Sequence, residues 1–100
     1  MSGVVISAPA VTGPVPRISE FYGIAIYMYH CDHAPPHFHA IYAGWEAGIM
    51  VDSGALMAGS LPPAAQRLVQ MWVERHRAEL LRNWRRARRG RPLSRIAPLE

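Results

Sequence analysis

From Ile18 to Tyr29 the chain consists of strand formers, with Ile18, Tyr22, Ile24, Ile26 and Met28 falling on one face at a period of two. Phe21, Ala25, Tyr27 and Tyr29 fall on the other, so both faces are largely apolar. Such a strand is either covered on both sides or awaits a partner on one. Asp32 to Pro36 interrupts it, because Pro35 and Pro36 fix φ and cannot extend a ladder. His37 to Ala43 reads as a second strand, with His37, His39 and Ile41 on one side and Phe38, Ala40 and Tyr42 on the other. Ala43-Gly44 turns it back into a third strand, Trp45 to Val51, and Asp52-Ser53-Gly54 marks the next turn. Ala55 to Ala58 then makes a short fourth strand at an edge.

Beyond it the period changes to that of a helix. Ser60 is placed as a cap, and Pro62 and Pro63 suit a first helical turn. Ala65, Leu68, Val69, Trp72, His76, Leu80, Trp84 and Ala87 follow at spacings of three and four, uninterrupted by Gly or Pro before Gly90. One helix of about 27 residues would run about 40 Å at 1.5 Å per residue. That is long for this chain, and a bend or break near His76 is expected. The tail after Gly90 docks through Leu93 and Ile96. The predicted fold class is α+β: a three- to four-stranded antiparallel meander followed by one long, kinked or broken amphipathic helix packed on one sheet face. Residues 1–16 mix Pro, Gly, Ala and Val without a period and read as a flexible tail, with Val4 to Ile6 as its one stretch of strand formers. Residues 17–98 then form a single α+β domain.

The chain has 100 residues, half of them apolar and 18% charged, which suits a buried core. No apolar run approaches the length of a membrane span, and Met1 to Pro16 lacks the basic start of a secretory signal. A single cysteine, Cys31, excludes an intramolecular disulfide and fits a reducing compartment. The expectation is a cytoplasmic protein without membrane contact. Charge is unevenly placed. All eleven basic residues are arginine; nine of them lie in residues 74–95 against two glutamates, a net +7, whereas residues 1–73 carry −2. Arg82, Arg85, Arg86, Arg88 and Arg89 mark the helix end as a polyanion-binding surface, since the guanidinium fork pairs with phosphate. Some of that charge also complements the helix dipole.

Four of the five histidines fall in HCDHAPPHFH, residues 30–39. His37 and His39 share one strand face, about 6–7 Å apart at Cα. That spacing suits an acid and a base flanking a phosphodiester, and equally two ligands of one metal ion. His33 and Asp32 precede the Pro-Pro loop and supply a third ligand or an orienting carboxylate; Cys31 is a soft ligand in reach. A structural or interface role for the pair is an equally direct reading. A closed zinc site is disfavoured, because no second Cys/His pair stands at structural spacing. His76, on the apolar stripe, reads as a satisfied core residue. Glycine-rich phosphate loops and a Gly-x-Ser-x-Gly elbow are absent from the sequence, which leaves any cofactor unknown.

Ile18-Ser19, FYGIAIYMY at 21–29, DHAPPHFHA at 32–40, the Leu61-Pro62 helix start and the helical run through His76, Leu80-Leu81 and Asn83-Trp84 resemble a bacterial family, domain of unknown function 4160. The resemblance covers residues 17–98, and D-H-x-P-P-H-F-H is its specific part. By position the family's polar motif falls on Asp32, His33, His37 and His39, with His30 and Cys31 outside it. The resemblance implies the toxin role in a two-gene toxin–antitoxin module, and with it a small cognate partner protein. The leading expectation is therefore a toxin-like component acting on RNA or another polyanion through His37, His39, His33 and Asp32. The alternatives are a non-enzymatic module binding a partner protein or DNA, and a metal-dependent hydrolase using His33, His37 and His39.

Overall fold

The computed structural model describes residues 16–30 and 32–100; Val4 to Ile6 and Cys31 lie outside the described residues. Five strands form one antiparallel sheet in the order β1-β2-β3-β4-β5: β1 Arg17–Phe21, β2 Ile24–Tyr27, β3 His37–Tyr42, β4 Trp45–Met50 and β5 Leu56–Gly59. A single helix, α1 Pro63–Arg88, follows. The architecture is the expected α+β meander and helix, with one strand more than predicted.

The extra strand has a local cause. Tyr22 and Gly23 both take positive φ, 51° and 78°, the combination that a two-residue hairpin turn needs. The expected single strand of residues 18–29 thus folds back on itself, pairing Phe21 with Ile24 and Glu20 with Ala25. This also exchanges two faces: Phe21 is buried, and Tyr22 sits at the turn, 60% exposed. Gly23 was the visible signal, read through because apolar residues continue on both sides of it.

Ile18, Phe21, Ile24, Ile26, Met28, Phe38, Ala40, Ala47 and Ile49 form the buried sheet face, and Val69, Trp72, Val73, Leu80 and Trp84 cover it from the helix. Trp72 lies at the centre, its ring 5.3 Å from Phe21 and 5.6 Å from Phe38 between centroids. Helix entry differs from expectation. Pro62 is the N-cap with Pro63 in the first turn, and Ser60 instead donates its backbone N–H to the Glu46 carbonyl. A bulge at Gly48/Ile49 and the β4–β5 pairing place Ser60 against that strand rather than at the helix start.

The helix departs from helical geometry at His76 (φ −125°, ψ 21°), where a bend was expected. Its end is a Schellman closure: Gly90 N–H bonds to the Ala87 carbonyl and Arg91 N–H to the Arg86 carbonyl, with Gly90 at φ 68°. Residues 91–100 then return along the core. Ile96 N–H pairs with the Ile18 carbonyl, the Trp72 indole N–H donates to the Ala97 carbonyl, and the Asn83 side chain bonds both the N–H and the carbonyl of Ser94. Ile96 and Leu99 are buried, and Leu93 packs against the cluster.

One backbone contact gives a sharp expectation. Gly59 pairs with Ala47 at φ 70°, and a Cβ there would run into the Glu46 carbonyl oxygen. Gly59→Ala should cost more than about 2 kcal/mol, since left-handed strain and a backbone clash act together. Urea unfolding reads this directly, and a loss under about 0.5 kcal/mol would contradict the strand pairing.

Candidate active site

The loop between β2 and β3 and the first turn of β3 bring three groups together. Pro35 and Pro36 stiffen the approach, and Val51 N–H bonds the Pro36 carbonyl, tying the loop to the end of β4. His37 Nδ1 lies 2.7 Å from the Pro35 carbonyl oxygen. A carbonyl only accepts, so Nδ1 carries the proton and Nε2 is turned to the Asp32 carboxylate. Asp32 Oδ2 stands 3.1 Å from His37 Nε2 and 3.0 Å from His39 Nε2. One carboxylate oxygen thus faces two imidazoles, and donor atoms of all three residues lie within 4.8 Å of one another.

Proton counting limits what this arrangement can be. His39 can donate Nε2–H to Asp32 and leave its Nδ1 bare. His37 has already placed a proton on Nδ1, so its Nε2 meets Asp32 only through a further proton, on the ring or on the carboxyl, or through a cation held between them. A doubly protonated His37 makes an ion pair with Asp32, whereas a bare Nε2 takes a proton from the carboxyl or shares a cation with it. The group can thus hold a charge pair, exchange a proton or take a metal ion. His37 is 3% exposed, whereas the side chains of His39 and Asp32 retain 21% and 24%. The centre is therefore open to solvent on the His39–Asp32 side, with the His37 ring buried behind it.

Aromatic rings frame it. Tyr29 lies 4.6 Å from His39, and burial, with Glu46 second, pushes its hydroxyl above the ordinary range, so it stays a neutral donor. The His37 ring packs 5.3 Å from Trp84, over which the Arg88 guanidinium sits at 6.0 Å. Trp84 was missed as part of the centre, because it falls on the apolar stripe and reads as core; Arg88, expected on the polyanion-binding helix end, joins it there. Their spacing of four residues, which puts both on one helix face, was the available signal.

The other sequence candidates divide. His33 is exposed and stands outside the three-residue group, so Asp32 takes the place foreseen for it as third donor. His30 donates Nε2–H to the Arg91 carbonyl, pinning the loop to the C-terminal segment. His76 bonds Glu79 and packs on Trp72, a satisfied residue as read. The arginines do not form one patch. Arg82, Arg85, Arg88 and Arg89 are exposed, while Arg86 is half-buried with its guanidinium on Ser94 Oγ at 2.7 Å. Arg82 and Arg86, with Arg95 and Glu79, line a separate cleft of about 190 Å³. At 100° per residue it opens about 160° round the helix from Trp84.

Fold and site together define a small α+β protein with a carboxylate–diimidazole centre packed against Trp84 and, through it, Arg88 of the helix. The family described as Domain of unknown function (DUF4160) matches residues 23–85, and the chain belongs to that family. Comparison with curated proteins and with solved structures gives no match. No helix among the described residues is long and apolar enough to cross a membrane.

Proposed function

We propose that this protein cleaves RNA at the Asp32–His37–His39 centre, as the toxin-like member of a two-gene module. The observation that carries the reading is the contact of His37 with Trp84 beneath Arg88, which joins the proton-handling groups to the cationic helix end. Arg85, Arg88 and Arg89 hold the phosphate backbone, and the strand face delivers His39 to one phosphodiester. The 2′-hydroxyl proton passes to the centre as O2′ bonds phosphorus. The P–O5′ bond breaks, and a proton returns to O5′, leaving a 2′,3′-cyclic phosphate and a free 5′-hydroxyl.

Induction of the chain in a bacterial host, alone and as His39→Ala, tests this together with cleavage of a single-stranded RNA by purified protein. Wild type is expected to arrest growth and release cyclic-phosphate ends, and the variant to do neither at equal soluble level. A harmless wild type that leaves RNA intact overturns the proposal. Reversing the charge at Arg85, Arg88 and Arg89 should weaken RNA binding at least about tenfold and flatten its salt dependence by about one unit of log–log slope per lost contact. An unchanged slope in filter binding would remove the helix end from the interface.

A further inference from the structure

The geometry points to Asp32 Oδ2, His37 Nε2 and His39 Nε2 as the protein ligands of a divalent first-row transition ion. For its purpose this assignment rests on the catalytic reading above; for its ligands it rests on the spacing of the donor atoms, the orientation of His37 and the lone pair that this orientation leaves.

The first is spacing. Two metal–ligand bonds of about 2.1 Å place their donor atoms about 3.0 Å apart at a right angle and about 3.4 Å apart at the tetrahedral angle, and the three donor atoms here all lie within 4.8 Å of one another. The carboxylate oxygen lies 3.1 and 3.0 Å from the two imidazole nitrogens. The second is orientation. A ligating histidine ordinarily donates its other ring N–H to a carbonyl or carboxylate, which fixes the tautomer and aims the lone pair. His37 does so through Nδ1–H to the Pro35 carbonyl at 2.7 Å. The third is the lone pair itself. It belongs to a residue 3% exposed and faces an anionic oxygen, a pairing that a bridging cation turns from repulsive to favourable.

The donor set selects the class of ion. Two imidazoles and one carboxylate on one side of a centre suit Zn²⁺, Fe²⁺, Co²⁺ or Mn²⁺, and suit Mg²⁺ poorly. His37 and His39 alternate on one strand and are rigidly spaced, while Asp32 closes from the loop. The remaining coordination positions open on the side where Asp32 and His39 retain their exposure, leaving room for water and a phosphate oxygen. There the ion supplies a bound hydroxide at neutral pH, which takes the proton of the attacking hydroxyl.

Metal binding by the full chain, stripped with chelator and dialysed, tests the site without reference to activity. Co²⁺ titration followed by visible absorption, with Zn²⁺ in competition, is expected to give one equivalent, and Mg²⁺ to displace none of it. His37→Asn keeps a side-chain N–H near Nδ1 for the Pro35 carbonyl and removes Nε2. It should lower Co²⁺ affinity more than about 100-fold with circular dichroism retained, while the lost ring packing on Trp84 lowers the apo-protein's melting temperature. The part-exposed Asp32→Asn and His39→Ala should lower affinity likewise with the melting temperature near wild type. Binding of less than about a tenth of an equivalent of Zn²⁺ or Co²⁺, or undiminished affinity in His37→Asn and His39→Ala, overturns the assignment. RNA cleavage that persists in chelator would overturn the metal while leaving the RNA reading intact; stoichiometric binding without cleavage does the reverse.

Discussion

Trp72→Ala lowers the stability of this protein by about 3–5 kcal/mol, the range for truncating a buried tryptophan. The residue is 0% exposed, touches Phe21, Phe38 and His76 with its ring, and holds the Ala97 carbonyl with its N–H. It thus joins β1, β3, the helix and the C-terminal segment, and no single neighbour can move to fill the space it leaves. For a chain of this size the loss lowers the melting temperature by about 15–30 °C. Trp72→Phe separates the two contributions. It keeps most of the ring packing but strands the Ala97 carbonyl, and should cost about 1–2 kcal/mol. Thermal and urea unfolding of both variants check the order. An alanine variant melting within a few degrees of wild type would mean the core is organised elsewhere.

Asp32→Asn abolishes most of the proposed activity, with kcat falling about 10²- to 10⁴-fold, the span attributed to positioned acid–base groups. The substitution keeps the shape of the side chain and removes the charge that faces both imidazoles at 3.0 and 3.1 Å. The KM for RNA should change little, because in the proposed binding mode arginines on the helix make the backbone contacts. A merely structural role for Asp32 predicts a different pattern, with stability and both kinetic constants drifting together. Single-turnover cleavage with the melting temperature measured alongside distinguishes them, and an unchanged kcat places the chemistry elsewhere.

Much of this arrangement is legible in the residues. The period-two runs gave the strands of the meander, Ala43-Gly44 gave its central turn, and the three- and four-residue spacing gave the helix to within two residues of its ends. The placement of His37 and His39 on one strand with Asp32 close by followed from alternation and a short stiff loop. The Tyr22-Gly23 turn is local, its glycine masked by apolar residues on both sides. The gathering of Asp32 without His33 beside the two strand histidines, and the seating of Trp84 on His37, depend instead on where two separate segments meet. Local patterning does not encode that meeting. Ser60 failed as a cap for the same reason: strand pairing with β4 claimed its backbone.

The segment after Gly90 has a consequence for what counts as one folding unit. The stretch that defines family membership, residues 23–85, begins inside the β1–β2 turn and stops before the helix does. Yet the indole of the tryptophan at the centre of the core finds its only described hydrogen bond at Ala97, Asn83 satisfies its amide on Ser94, and Ile96 bonds to β1 at Ile18. Cut to the recognised stretch, the molecule would keep its chemical centre and lose the wall behind it, with an edge strand gone, a tryptophan bared and a buried amide left without partners. The family signature and the cooperative fold therefore have different borders, and the ten residues after Gly90 serve as the latch that makes the signature sit still.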